Sequence, residues 1–87
     1  MIKLQQLAHA LALGRYGNFH RAAQAQHLSQ PAFSRSIRSL EEGLGVPLFD
    51  RQTTVVTPNL YGEALLKRAE GILAEADELE REIELLQ

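Results

Sequence analysis

Gln30, Ser34, Arg35 and Arg38 lie within nine residues of one another, just after Ser29 and with Pro31 among them. Placed on a helix at about 100° per residue, Phe33, Ile37, Leu40 and Leu44 gather within about 40° of a common line. Pro31, Arg35, Arg38 and Glu42 fall between about 140° and 200° from it, and Ser34 at about 100°. One face is apolar, the opposite face carries two guanidiniums, and Gln30 sits at the N-terminal tip. An arginine can bond guanine O6 and N7 with two parallel donors, and a glutamine can do the same at adenine. The first turns of such a helix are what a major groove admits. The plainer reading is the solvated face of an amphipathic helix, and the flanking elements decide between the two.

Upstream, Leu4, Leu7, Ala8 and Leu11 form the i, i+3, i+4, i+7 stripe of a helix over 4–13, closed by Gly14 and Gly17. Asn18 stands where an N-cap belongs. A short second helix follows from Phe19 to about Gln26, with Phe19, Ala22 and Ala23 inward. After His27-Leu28, Ser29 is a second N-cap, and Pro31 fits the first turn because its missing N–H is not needed there. The helix that begins there runs to about Leu44, with Gly43 and Gly45 as its stop. Two helices joined by so short a turn have the dimensions of a helix-turn-helix.

Downstream, Val46-Pro47-Leu48-Phe49 and Val55-Val56-Thr57 flank a polar stretch and fit two short strands joined by a loop. Pro58 closes the segment and Asn59 can cap a further helix. From Leu60 to Gln87 there is no proline, and Leu65, Ala69, Ile72, Ala76, Leu79, Ile83 and Leu86 repeat at alternating spacings of four and three. That is a sustained heptad stripe on a helix too long to fold back on so small a body, so it calls for a partner helix. The expected fold is mainly α: a winged helix-turn-helix of three helices and a small two-stranded wing over 1–58, then a long linker and dimerisation helix over 59–87.

The chain has 87 residues, a length for one domain, and a net charge of −2. The charge is unevenly placed. Residues 1–58 carry six Lys and Arg against three acids, +3, whereas 59–87 carry three against eight, −5. The basic front suits an anionic partner, and the acidic tail needs another task. There is no cysteine, hence no disulfide framework or thiolate metal site. The three histidines, His9, His20 and His27, form no i, i+4 pair, which argues against a metal centre. The four serines from Ser29 to Ser39 have no histidine–carboxylate partner to make a nucleophile, and no glycine run cradles a phosphate. No catalytic activity is expected. No apolar run reaches a membrane span, and Gln5, Gln6 and His9 interrupt any signal-peptide core, so a cytoplasmic protein without membrane contact is expected.

Three runs, Asn18-Phe19-His20-Arg21-Ala22-Ala23, Leu28 to Glu41 and Leu44-Gly45-Val46-Pro47-Leu48-Phe49-Asp50-Arg51, closely resemble the DNA-binding domain of LysR-type transcriptional regulators. The Ser-Gln-Pro-Ala-x-Ser-Arg-x-Ile and Leu-Gly-x-x-Leu-Phe-x-Arg patterns are highly specific together. The resemblance implies sequence-specific binding of double-stranded DNA, with Gln30, Pro31, Ser34 and Arg35 in the major groove and Arg51 at the minor groove or its phosphates. Arg38 and, on the wing, Thr53 join the candidate contacts, and the helix tips at Asn18, His20 and Ser29 can hold phosphates through backbone amides. Arg21 fits either a phosphate contact or an ion pair with Glu41 or Glu42. The sequence departs from the family where Ser or Thr is usual at Asn18 and His20, where the wing reads Gln52-Thr53-Thr54-Val55 without further arginines, where Asn59 replaces the Thr of a Thr-x-x-Gly start to the long helix, and where Ala10 replaces an aromatic. The resemblance also implies an effector-binding domain beyond residue 87 that takes a small molecule. It implies no cofactor in this segment and a homodimer through the long helix, with a homodimer or a tetramer as the full-length assembly. A winged-helix module that binds protein and not DNA is the alternative. It has no need of Arg35 and Arg38 beside Gln30.

The stripe also sets an expected pairing. With Leu65 at d, a parallel pair offers no attractive g–e contact. An antiparallel pair centred near Ala76 sets Arg68 against Glu82 of the partner, twice by symmetry. An antiparallel homodimer through Leu65, Ala69, Ile72, Ala76, Leu79, Ile83 and Leu86 is therefore expected.

Overall fold

The computed structural model describes residues 1–87. The order is α1 (Leu4–Tyr16), α2 (Phe19–Ala25), α3 (Gln30–Leu44), β1 (Phe49–Asp50), β2 (Thr57–Pro58) and α4 (Leu60–Leu86). The two strands pair antiparallel, Phe49 with Pro58 and Asp50 with Thr57. The expected winged helix-turn-helix with a long terminal helix is the observed architecture.

Several boundaries differ from the sequence reading. The helix α1 runs through Gly14 to Tyr16, because Gly14 is where Leu66 of α4 packs closest, and a Cβ there would meet it. Of the expected stripe Leu7 is buried, together with Ala10, Ala12 and Leu13, whereas Ala8 and Leu11 are half-buried and Leu4 is exposed. Gly43 lies inside α3. The stop is Gly45, whose φ of 79° is the left-handed conformation that closes a helix, with its N–H donating to the Glu41 carbonyl. Leu44, expected on the apolar face, falls past the edge of the body and is exposed. The strands are only two residues each, and Pro58 sits within β2 rather than after it.

The core is one cluster in which Phe33, Ile37 and Leu40 of α3 meet Ala10 and Leu13 of α1, Ala22 and Ala23 of α2, and Leu48, Phe49 and Val56 of the wing. Ala10 and Ala22 are fully enclosed, and small residues there let the helices approach closely. Phe33 is its centre, with the rings of His9 at 5.6 Å and Phe19 at 6.0 Å, the latter edge-on.

The junction with α4 is fixed by polar contacts. The Asn59 side chain accepts from the Gly62 N–H at 2.9 Å, so Asn caps where Thr is usual in the family. Its amide donates to the Pro47 carbonyl and its backbone N–H to the Leu48 carbonyl, each at 2.9 Å. Gly62 is pressed against the Leu48 carbonyl and Pro58, so any Cβ there would collide with backbone. At 27 residues α4 is about 40 Å long. Its first half lies on α1 and its second half leaves the body, giving the molecule an extent of 49 × 25 × 19 Å. Gly62→Ala should lower stability by roughly 1–3 kcal/mol, because the obstructing atoms are main chain and cannot swing aside. Urea denaturation of both proteins checks this, and an unchanged midpoint would mean that α4 docks elsewhere.

Candidate nucleic-acid interface

The helix-turn-helix is set by two caps. Asn18 Oδ1 accepts from the Arg21 N–H at 2.8 Å, and Ser29 Oγ accepts from the Ala32 N–H at 3.2 Å. Both caps stand where the sequence indicated, so these two side chains are occupied and their helix tips are held in place. Burial of Phe33, Ile37 and Leu40 turns the opposite face of α3 to solvent. Gln30, Pro31, Arg35 and Arg38 are exposed along it and Ser34 is half-buried beside them. No side-chain hydrogen bond involves Gln30, Arg35 or Arg38, and the chain's one ion pair lies elsewhere. Three donor-bearing side chains of α3, Gln30, Arg35 and Arg38, thus stand free.

That ion pair joins Arg51 Nη2 to Glu41 Oε1 at 3.0 Å. Glu41 is 9% exposed, and its other oxygen accepts from the Leu48 N–H at 2.7 Å. The Arg51 guanidinium also lies over the Phe19 ring, 5.3 Å from its centroid. Arg51 therefore stands at the root of the wing and not at its tip. The tip, residues 52–55, is exposed and uncharged, and the Thr53 hydroxyl donates to the Val55 carbonyl within the loop at 2.7 Å. Arg21 makes neither ion pair considered for it. Its guanidinium lies over the Tyr16 ring at 5.5 Å, because Glu41 is already filled by Leu48 and Arg51. His20 is exposed at the start of α2. Phe19, Ser34, Arg38 and Arg51 together line a cleft of about 240 Å³ between α2, α3 and the wing.

Behind α3, two polar bridges tie it to α1. His9 Nδ1 shares a hydrogen bond of 2.6 Å with Ser36 Oγ, and the Gln6 amide donates to Ser39 Oγ at 3.4 Å. The sequence reading missed these bridges, as it missed the placing of Arg51 by Glu41 and Phe19. A signal was present for the first two: Gln6 and His9 are three apart on one helix, and Ser36 and Ser39 are three apart on the other.

Of the dimerisation candidates, Ala69 is 0% exposed within the single chain, and Leu65 and Ala76 are half-buried. Ala69 is a correction: it is the contact of α4 with its own body and is closed to a partner. Leu66 and Leu73 also pack toward the body, since Leu66 meets Gly14 and Leu73 faces Ala8 and Leu11. Ile72, Leu79 at 61%, Ile83 and Leu86 at 77% exposure remain outside.

A winged helix-turn-helix with a bare, cation-bearing recognition face defines a DNA-binding class of protein. The family described as bacterial regulatory helix-turn-helix protein, lysR family, matches residues 4–63, and the chain belongs to it. It is 48% identical over 73 residues to an SDS degradation transcriptional activation protein of a Pseudomonas species, covering 84% of this chain and 24% of that protein. It is 42% identical over 82 residues to a transcriptional regulator of Bacillus subtilis, YybE, covering 94% of this chain and 28% of that one. Among solved structures, Vibrio fischeri DarR in complex with DNA superposes with a TM-score of 0.95 at 29% identity, over 99% of this chain and 30% of that chain. The DNA-binding domain of BenM on benA site 1 DNA superposes with a TM-score of 0.92 at 27% identity, over 98% of this chain and 99% of that chain. The chain spans about a quarter of the length of the curated relatives it matches. Both relatives bear names of transcriptional regulators.

Burial of His9 lowers its pKa below the ordinary histidine value of 6.5, because the charged form is the poorly solvated one. As pH falls, the unfolded chain takes up this proton before the folded chain does. Stability should therefore decline as pH drops through about 6.5 and on toward the lower folded value. Urea midpoints at pH 7.5 and 5.5 should differ in the native chain, and the difference should shrink in His9→Gln. A midpoint equal at both pH values would show that His9 charges freely in the fold.

Proposed function

We propose that this chain is the part of a LysR-type transcriptional regulator that binds double-stranded DNA sequence-specifically. The observation that carries the reading is the α3 face on which Gln30, Ser34, Arg35 and Arg38 stand without intramolecular partners opposite a fully buried face. Gln30, Pro31, Ser34 and Arg35 enter the major groove and read base edges, with the wing and Thr53 beside the minor groove. Asn18, His20, Arg21 and Ser29 lie where the tips of α2 and α3 meet backbone phosphates. The setting is the cytoplasm, where bacterial DNA is, and a small-molecule effector controls the regulator. The reading is tested by selecting duplexes from random sequence with the purified chain. Enrichment of an interrupted inverted repeat supports it, and recovery of no sequence overturns it. Arg35→Ala should then cost about 1–3 kcal/mol and relax preference at one base position, and Gln30→Ala should do so at a neighbouring one. Equal loss on every sequence would reduce both residues to phosphate contacts.

The chain acts as an antiparallel dimer through the outward stripe of α4, and the full-length protein is a dimer or a tetramer. With Ala69 withdrawn into the body and Leu65 half-buried against the core, the free apolar positions are Tyr61, Ile72, Leu79, Ile83 and Leu86. Reversed about Ile72, the stripe pairs with itself except at Leu86, which lies beyond the overlap. Ile72 meets its own copy, Leu65 meets the partner's Leu79, and Tyr61 meets the partner's Ile83. Arg68 then lies beside the partner's Glu75, in place of the Glu82 that a centre at Ala76 gives. Each Leu or Ile fully covered contributes roughly 1.5–3 kcal/mol, against under ~1 kcal/mol for an exposed ion pair. Apolar burial thus holds the dimer, and charge selects the register. Ile72→Asp together with Leu79→Asp should sediment as a monomer at micromolar concentration and bind the selected repeat far more weakly. A native chain that is itself monomeric under those conditions would contradict the dimer.

A further inference from the structure

We propose that the cleft between α2, α3 and the wing is a clamp for one backbone phosphate, formed by Arg38 and Arg51, and that Glu41 is the residue that positions Arg51 in it. The inference rests on the DNA-binding reading above and adds a named ligand group to a named site.

The charges suit a phosphodiester. Two guanidiniums line one cleft of about 240 Å³ and repel each other, while only Arg51 has an acid partner. Two positive charges and one negative leave +1, which a phosphodiester monoanion neutralises. Donors are also in hand. A guanidinium has five N–H groups; Arg51 commits one of its nitrogens to Glu41, and Arg38 commits none. Bidentate arginine contacts to phosphate are shorter and stronger than neutral hydrogen bonds.

The site is ordered before any ligand arrives. Glu41 cannot swing away, because it is buried and its second oxygen holds the Leu48 N–H. Removing its cation would leave a buried charge unpaired, so Arg51 is retained. The Arg51 guanidinium also lies over the Phe19 ring, 5.3 Å from its centroid, which further limits its freedom. A clamp already in its bound arrangement loses little side-chain entropy on binding. Position argues for backbone over base. Arg38 is eight residues beyond Gln30, about 12 Å along α3. The major groove is about 12 Å wide, so with Gln30 at base edges the cleft stands at the wall of the groove, where a strand's phosphates run.

The test uses the duplex selected from random sequence, with one backbone phosphate at a time replaced by an uncharged methylphosphonate. The native chain should lose on the order of tenfold in affinity at one particular phosphate of each half-site. In Arg38→Ala and in Arg51→Ala that same substitution should cost less than about twofold, with losses at all other phosphates unchanged. Arg51→Lys should not restore the sensitivity, because an ammonium lacks the planar fork. Glu41→Gln should reduce the loss at this phosphate alone. Should Glu41→Gln unfold, the two arginine variants decide, since Arg38 is exposed and holds nothing in the fold. Arginines that map to different phosphates, or a profile that neither variant alters while binding persists, would overturn the clamp. A chain that binds no duplex would instead overturn the DNA-binding reading itself.

Discussion

Everything on the exposed face of α3 depends on its other face being buried completely. Phe33, Ile37 and Leu40 are 0–1% exposed, and each Cβ on that side is spoken for by α1, α2 or the wing. A helix rigidly seated on one face presents the other at a fixed angle, and that is what allows side chains without partners to act together. The polar bridges His9–Ser36 and Gln6–Ser39 add direction to this seating, because hydrogen bonds specify rotation about the helix axis where apolar contacts alone tolerate slippage. Truncating Phe33 to Ala would remove the ring shared by three elements, a loss of the 3–5 kcal/mol kind for a buried aromatic. In a domain of this size that is a large part of the total stability.

The wing is joined to the same helix by one buried carboxylate. Glu41 sits three residues before Leu44 on α3, yet it binds the backbone of Leu48 and the side chain of Arg51. The short strands contribute little by themselves. Their orientation comes from this link and from the Val56 N–H donating to the Gly17 carbonyl at 2.9 Å. The helix α4 divides its surface in a similar way. The side carrying Leu66, Ala69 and Leu73 is used at home, and the side carrying Ile72, Leu79 and Ile83 is left bare.

Much of this was legible in the sequence. The caps at Asn18, Ser29 and Asn59, the α3 apolar face and the heptad stripe follow from spacing and residue type, which are local properties. What was not legible depends on which neighbour arrives. The Leu4–Leu7–Ala8–Leu11 stripe and the Leu7–Ala10–Leu13 face of α1 are both apolar at helical spacing, and only the packed structure says which one meets α3. Ala69 looks like a coiled-coil residue until α1 is known to cover it. Arg51 was expected to reach outward, because pairing with Glu41 ten residues away is a tertiary fact that no periodicity encodes.

The account's central claim is that the free face of α3 is the surface that meets DNA. The most direct measurement is the change in backbone amide resonances when the uniformly labelled chain is titrated with its selected duplex. The account predicts the largest changes from Gln30 to Arg38 and at Arg51, with α4 beyond Ala76 nearly unmoved. Changes concentrated on the Ile72–Leu86 stripe, with α3 silent, would contradict it.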